Sequence, residues 1–501
     1  MKDGMGKRGV TRGMGDPAMG HGEMAGGMQM SEDDRREMLY AHHRQTLWIP
    51  WLVILLGVWT AVAPFSFGYL DPAQWVTPSG GRGVWLGDEL HTALRASLMT
   101  WSDVISGLLL VVFGWRALTP DRPKSWWICC FVGIWLSLAP LIFWSPASVA
   151  FLNDTLVGAL VIALTVLIPG MPNMIKYMRM GPPTPPGWSY NPSSWPQRSI
   201  MIGLAFAGWL VSRYLAAFQL GYTTVAWDPF FGDSTRRVLN SEMSHMWPIS
   251  DAALGTFAYT FEFLMGWMGS PQRWRTMPWM VAFFGILVIP LGLVHIALVI
   301  SQPVVVGAWC TFCLLAAAIM LPMIPLTVDE VIAMVQNLKT AHRNGESVWR
   351  AFWKGGPPEG STEDERTPEI YTFPDQPGKV LKSSLWGMSA PWTLVVSTVI
   401  GIWLMFVPAM VGLEGLASDL NHIGGALVVV VAVIAMGEPL RSGRLLNGLL
   451  GLCLIVAPWT LSGFTAVATW SSVIAGAALI VLCLPSGPVR ERFGNWDRLV
   501  F

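Results

Sequence analysis

The sequence predicts an all-α integral membrane protein with about twelve transmembrane helices in a 4+4+4 order, a central four-helix bundle between two repeat blocks. Composition is the first reason: 53% of the residues are hydrophobic and 13% are charged, about half the charged share of a soluble domain. Recurrent apolar runs of roughly 20 residues, each long enough to cross a bilayer, are the second. The third is the placement of Lys and Arg, which fall on one side when twelve helices alternate. Basic and acidic residues balance at 32 each, which gives no hint of a nucleic-acid partner, and membrane lipid is the expected surrounding. Six cysteines are too few for a disulfide framework. The first residues lack the charged–apolar–small order of a cleaved signal peptide, so the first membrane helix is expected to anchor itself.

In chain order, residues 1–46 form a Met/Gly-rich tail without helical or strand period, expected to be disordered and cytoplasmic. Its Met19-Gly20-His21-Gly22-Glu23-Met24 carries sulfur and imidazole ligands suited to Cu(I), although such tails are usually only flexible. The first block, 47–171, holds helices at roughly 47–69, 101–118, 126–147 and 150–171. A proline-rich linker, 172–197, ends it. The central block, 198–326, holds helices at roughly 198–219, 252–269, 277–301 and 304–326. A cytoplasmic linker, 327–388, begins with the amphipathic Val328-Asp329-Glu330-Val331-Ile332. The last block, 389–486, holds helices at roughly 389–412, 420–438, 444–464 and 466–486, and a short tail, 487–501, follows. Arg116, Lys124, Lys176, Arg198, Arg273, Arg275, Lys339, Arg343, Arg441 and Arg444 all fall on the cytoplasmic side if the N-terminus is inside. Arg236 and Arg237 are the exception, in a long loop that obeys the rule weakly. Both termini are therefore expected to be cytoplasmic.

The outer blocks share a repeat. Gly57-Val58-Trp59 with Pro64, Gly133-Ile134-Trp135 with Pro140, Gly401-Ile402-Trp403 with Pro408 and Gly451-Leu452-Cys453 with Pro458 keep one spacing. Each partner helix has a small or polar residue four before a glycine: Asp103/Gly107, Asp154/Gly158, Asn421/Gly425 and Ser472/Gly476. Glycine admits close helix approach and proline ends or kinks a helix. The pattern reads as a packing or docking module without a nucleophile, metal cluster or intramembrane carboxylate pair. It resembles the bacterial SPW-repeat membrane domain over about 47–171 and 389–486, although only Ala457-Pro458-Trp459 keeps the tryptophan after the matched proline. That resemblance implies no defined activity.

Chemistry concentrates in Gly307-Ala308-Trp309-Cys310-Thr311-Phe312-Cys313. On a helix, residues i and i+3 share a face about 5–6 Å apart between Cβ atoms, close to what a disulfide needs. A thiol in the first turn also feels the positive helix end, which favours thiolate. The alternative is a pair of small buried residues. Upstream lie Trp227-Asp228-Pro229-Phe230-Phe231, Arg237-Val238-Leu239-Asn240-Ser241 and Pro248-Ile249-Ser250-Asp251-Ala252-Ala253-Leu254-Gly255. In this order the motifs resemble the vitamin K epoxide reductase family over about 198–326.

The resemblance implies a four-helix bundle with a long outer loop and a quinone pocket beside Cys310 and Cys313 as the catalytic pair. It implies a quinone cofactor of ubiquinone or menaquinone type, and a periplasmic thioredoxin-like protein as thiol partner. Trp309, Phe312, Asp251 and Tyr259 are the expected quinone-binding residues. Asp251 falls where the family often has Asn, so it can donate to a quinone oxygen only when protonated; otherwise it caps its helix. The family's two loop cysteines are replaced by Trp227 and Thr235, which cannot exchange a disulfide. Cys129, Cys130, Cys453 and Cys483 are placed too far away to substitute. No metal site is expected. Three readings follow: a quinone-linked thiol/disulfide oxidoreductase of the bacterial inner membrane, a non-catalytic quinone- or lipid-binding relative, and a scaffold or transporter. Glu262 and His295 are the notable polar residues inside the central helices, and an interhelical hydrogen bond is their expected role.

Overall fold

In the computed structural model, residues 37–77, 92–120, 122–167, 184–356 and 376–500 are described, save 38, 39 and 42. The Cu(I)-ligand tail and much of both linkers lie outside the described residues. Among the described residues the principal helices are α1 Trp48–Ser66, α2 Thr92–Ala117, α3 Pro123–Ile142, α4 Ser148–Ile162, α5 Trp195–Gln219, α6 Asp251–Trp267, α7 Pro278–Val306, α8 Thr311–Arg343, α9 Trp392–Val411, α10 Gly415–Ala435, α11 Leu445–Thr460 and α12 Ala466–Cys483. Among the described residues there is no β-strand, and eleven helices are long and apolar enough to span a bilayer. The helix outside that set is α6, with 17 residues.

The repeat forms four hairpins, α1–α2, α3–α4, α9–α10 and α11–α12, each closed by facing glycines. A Cβ on Gly57, Gly133, Gly401 or Gly451 would come within 2.7, 3.0, 2.6 or 2.5 Å of the carbonyl oxygen of Gly107, Gly158, Gly425 or Gly476. Backbone meets backbone because no side chain intervenes. Tryptophans then strap one hairpin to the next. Trp59 Nε1 donates to Asn153 Oδ1 at 2.8 Å, Trp135 Nε1 to Ser102 Oγ at 2.9 Å and Trp403 Nε1 to Ser471 Oγ at 3.2 Å. The fourth copy has Cys453 in the tryptophan's place and so lacks a strap.

The residues four before glycine also meet between hairpins. In the last block Ser472 Oγ donates to Asn421 Oδ1 at 2.9 Å. In the first block the equivalents are Asp103 and Asp154, fully buried and within interaction range of each other and of Tyr69. This corrects the expectation that the repeat carries no carboxylate pair: two residues 51 positions apart in sequence are joined only by hairpin pairing.

The central bundle is α5 to α8. Its core packs Tyr259, Phe284, Val288, Met320, Met323 and Ile324 together. Helix α7 breaks at Ile289–Pro290, where proline removes a backbone donor, and widens into a π turn at Gln302–Val306. Gly307, at φ +66°, ends it in the left-handed conformation and reverses the chain toward α8. The linker expected from residue 327 does not start there: α8 runs on to Arg343 with Asp329 and Glu330 buried. Arg273 pairs with Glu330 at 2.5 and 2.6 Å, Ser193 also bonds Glu330, and Tyr190 donates to Asp329 at 2.9 Å. These partners satisfy charges that would otherwise stop the buried helix. The interhelical bond expected of Glu262 is absent, since both its carboxyl oxygens lack partners among the described residues.

The hairpin geometry predicts that Gly425→Val destabilises the protein by ~1–3 kcal/mol, because the new side chain must push against backbone of α9. Trp403→Phe, which removes one hydrogen bond and keeps the ring, should cost about 1 kcal/mol. Thermal unfolding of the purified protein in detergent checks both, and equal midpoints for Gly425→Val and wild type would contradict the contact.

Candidate active site

Cys310 sits at the N-cap of α8 in extended conformation, so it precedes the helix and Cys313 lies in the first turn. The two sulfurs are bonded, with Cα atoms 5.2 Å apart, and Cys310 Sγ accepts from the Cys313 amide at 3.1 Å. An N-cap position gives the sulfur a backbone donor and the positive end of a long helix, both of which favour thiolate after reduction. Cys310 is fully buried and Cys313 is 7% exposed. The other described cysteines, Cys129, Cys130, Cys453 and Cys483, are free.

A lid closes over the pair. Asp228 Oδ1 accepts from the amides of Phe230 and Phe231, at 3.0 and 2.8 Å, which fixes its own turn. The same carboxylate takes Thr235 Oγ1 at 2.5 Å and, from α8, the Thr311 amide at 3.1 Å and Thr311 Oγ1 at 2.6 Å. Thus the residue between the two cysteines' backbone turns is tied to the loop by one acid. Trp227 covers Phe312 and Phe231 stacks on Trp309, at ring centroid separations of 6.2 Å in each case. Tyr214 contacts Phe312 at 4.9 Å and its hydroxyl accepts from the Trp227 amide at 2.7 Å. The short helix Ser234–Leu239 presses Val238 and Leu239 into the cluster that holds both cysteines.

Burial works to raise the Asp228 pKa, but hydrogen bonds from Thr235, Thr311, Phe231 and Phe230 outweigh it and hold the carboxyl well below its usual range. Thr235, one of the two positions where the sequence departs from the family, is therefore a fully buried member of the clamp. Trp227, the other, is 61% exposed. Thr235 thus contributes polar locking at a position already expected to carry no relay.

The expected quinone residues are distributed around the pair and not gathered in one pocket. Trp309 lines an apolar cavity of about 190 Å³ between α7–α8 and α9–α10, with Val299, Leu314 and Ala317 on the near wall. Those three residues also pack in the cysteine cluster. Phe312 lies under the lid with Tyr214 and Trp227. Asp251 takes Gln219 Nε2 at 2.5 Å, while Ser250 is the N-cap of α6 and accepts from the Ala253 amide at 3.1 Å. The capping role considered for Asp251 thus belongs to its neighbour. Tyr259 is buried in the bundle core and donates to the Ala316 carbonyl at 3.3 Å, one turn along α8 from Cys313.

Sequence reading missed the roles of Asp228, Gln219 and His422. Asp228 had a local signal, because Asp before Pro and two further residues favours an Asx turn. Gln219 and His422 had none, since their partners come from other helices.

Residues 199–328 match the model of the vitamin K epoxide reductase family, and residues 83–168 and 384–485 match the SPW repeat domain. The first match covers α5 to the buried Val328 of α8; the SPW matches leave α1 outside. Neither a curated protein nor a solved structure matches the chain.

The clamp predicts that Asp228→Ala speeds reduction of Cys310–Cys313 by a water-soluble phosphine about tenfold or more, with Asp228→Asn between it and wild type. A carboxylate with a depressed folded pKa stabilises fully above its unfolded value of ~3.9 and loses its effect only as pH falls through the folded value. The ratio of the Asp228→Ala rate to the wild-type rate should accordingly be flat between about pH 5 and 8. An Asp228→Ala rate equal to wild type would show that the lid does not control access.

Proposed function

We propose that this chain, whose central four helices match a membrane family of quinone-linked redox proteins, is itself a quinone-linked thiol/disulfide oxidoreductase. The observation that carries the reading is the closed Cys310–Cys313 pair at the N-cap of α8, within the matched segment and beside the Trp309-walled cavity. In one direction the reduced pair gives two electrons and two protons to a quinone, which leaves a disulfide and a quinol. In the other half-reaction an external dithiol attacks one sulfur, forms a mixed disulfide and departs oxidised, leaving both pair cysteines as thiols. Cys313, the more exposed of the two, is the sulfur we assign to partner exchange; Cys310, which holds the N-cap, is the buried member.

Quinone of ubiquinone or menaquinone type is the proposed cofactor and a periplasmic thioredoxin-like protein the proposed thiol partner. The charge pattern supports a bacterial inner-membrane placement with both termini cytoplasmic and Cys310 near the opposite face. Because Trp227 and Thr235 replace the loop cysteines, the partner must reach the pair directly after the lid lifts. One observation favours a second reading, a non-catalytic quinone- or lipid-binding relative: Asp228 locks Thr235 and Thr311 together over a fully buried Cys310.

Thiol titration separates the two. Reduced protein, freed of reductant and treated with a short-chain ubiquinone or menaquinone, should lose two thiols of its six. Cys310→Ser should lose none of its five, and Trp309→Ala should slow the loss severalfold. An unchanged thiol count in wild type would leave the non-catalytic reading.

A further inference from the structure

The cavity beside Trp309 is built by two different parts of the chain. Trp309, Leu314 and Ala317 come from the central bundle, and Ile402, Met405 and His422 come from the last repeat block. Among these apolar walls His422 is the polar exception. It lies in the middle of α10 and is 4% exposed. Its ring stands edge-on to Trp309 at 4.8 Å and 88°, and Phe406 stacks on the other part of the indole at 6.0 Å and 11°. These ring contacts hold the Trp309 indole in place as one wall of the groove.

The protonation of His422 follows from its partner. Nε2 is 2.9 Å from the Ile300 carbonyl oxygen, which can only accept, so Nε2 carries the proton. In neutral imidazole Nδ1 is then a bare acceptor. Nδ1 is buried and has no hydrogen-bond partner among the described residues. An acceptor in such a place costs free energy until a donor reaches it. No described residue donates to it, which leaves the position open to a ligand donor.

Size narrows the ligand. A cavity of about 150 Å³ lined by apolar side chains admits benzene, and this one is about 190 Å³. It has room for a substituted six-membered ring. We propose that the groove between the central bundle and the last repeat block binds a hydroxylated aromatic ring of the quinol class, one hydroxyl donating to Nδ1 of His422. A quinone, whose oxygens accept but do not donate, cannot make this bond, so the groove discriminates in favour of the reduced form. The last repeat block thereby supplies both a wall and the recognition group of the site. The identity of the natural ligand rests on the redox reading of Cys310–Cys313; the ring site itself does not.

A redox-inert probe keeps the two apart. Full-length protein in lipid nanodiscs, with its disulfide intact, is titrated with a pentyl-substituted resorcinol and with the dimethyl ether of that compound. Resorcinol donates hydrogen bonds but two-electron oxidation does not convert it to a quinone. Wild type should bind the resorcinol about tenfold more tightly than the ether, the effect of one hydrogen bond to an otherwise unsatisfied buried acceptor. His422→Phe keeps the ring edge and should bind both with the ether's affinity. Its unchanged affinity for the ether shows that the groove remains folded. Ala318→Phe, which fills the groove from an exposed position, should weaken both about tenfold or more. Equal affinities in wild type, a tenfold gap retained in His422→Phe, or undiminished binding in Ala318→Phe would each overturn the proposal. If the resorcinol preference holds while quinone fails to oxidise the cysteines, the ring site stands and the redox reading falls. If quinone oxidises them and the preference is absent, the converse applies.

Discussion

Apolar surface gains little by leaving lipid for protein, so helices in a bilayer are held by close backbone contact and by buried polar bonds. This constraint organises the whole structure. Four pairs of facing glycines close the hairpins of the outer blocks, and indole-to-polar straps join hairpin to hairpin, two in the first block and one in the last. In the central bundle the same work falls to charged knots at the helix ends. Arg198 caps the end of α6 through the Gly266, Met268 and Gly269 carbonyls, and Arg273 with Glu330 carries α8 through a buried crossing.

The cysteine pair depends on one such polar bond cluster. Asp228 gathers two loop amides, two threonine hydroxyls and the amide of Thr311 onto one carboxylate. Those contacts fix the first turn of α8, hold the aromatic lid against Trp309 and Phe312, and place the cysteine pair in an apolar cluster. The groove lies across Val299, Leu314 and Ala317 from the sulfurs. Groove and lid are thus on different sides of the pair, and each meets a sequence neighbour of Cys310, Trp309 in the groove and Thr311 under the lid.

What the sequence revealed was what repeats or sits at fixed spacing. Cys310 and Cys313, the glycine registers and the apolar runs could be read because each is a local periodicity. The relation between Gly401 and Gly425 could be inferred, because four copies share it. Pairing across hairpins could not: Asp103 meets Asp154, and Trp59 meets Asn153, only after both hairpins have formed. Helix α8 also ran past its expected end, because Asp329 and Glu330 read as solvent-facing charges while Tyr190, Ser193 and Arg273 bury them. The groove beside Trp309 was least legible of all. Its acceptor is on α10, the carbonyl that sets its tautomer is on α7, and its aromatic wall is in the turn before α8.

The lid has a kinetic consequence. A disulfide sealed on its aqueous side by Trp227, Asp228 and Phe231 equilibrates with its surroundings only as often as that seal breathes. Small thiols and dissolved oxygen, which need no docking surface, gain nothing from their abundance. A couple insulated in this way can keep an oxidation state different from that of the surrounding medium, and across the lid only a protein able to hold the seal open while it reacts would share electrons with it.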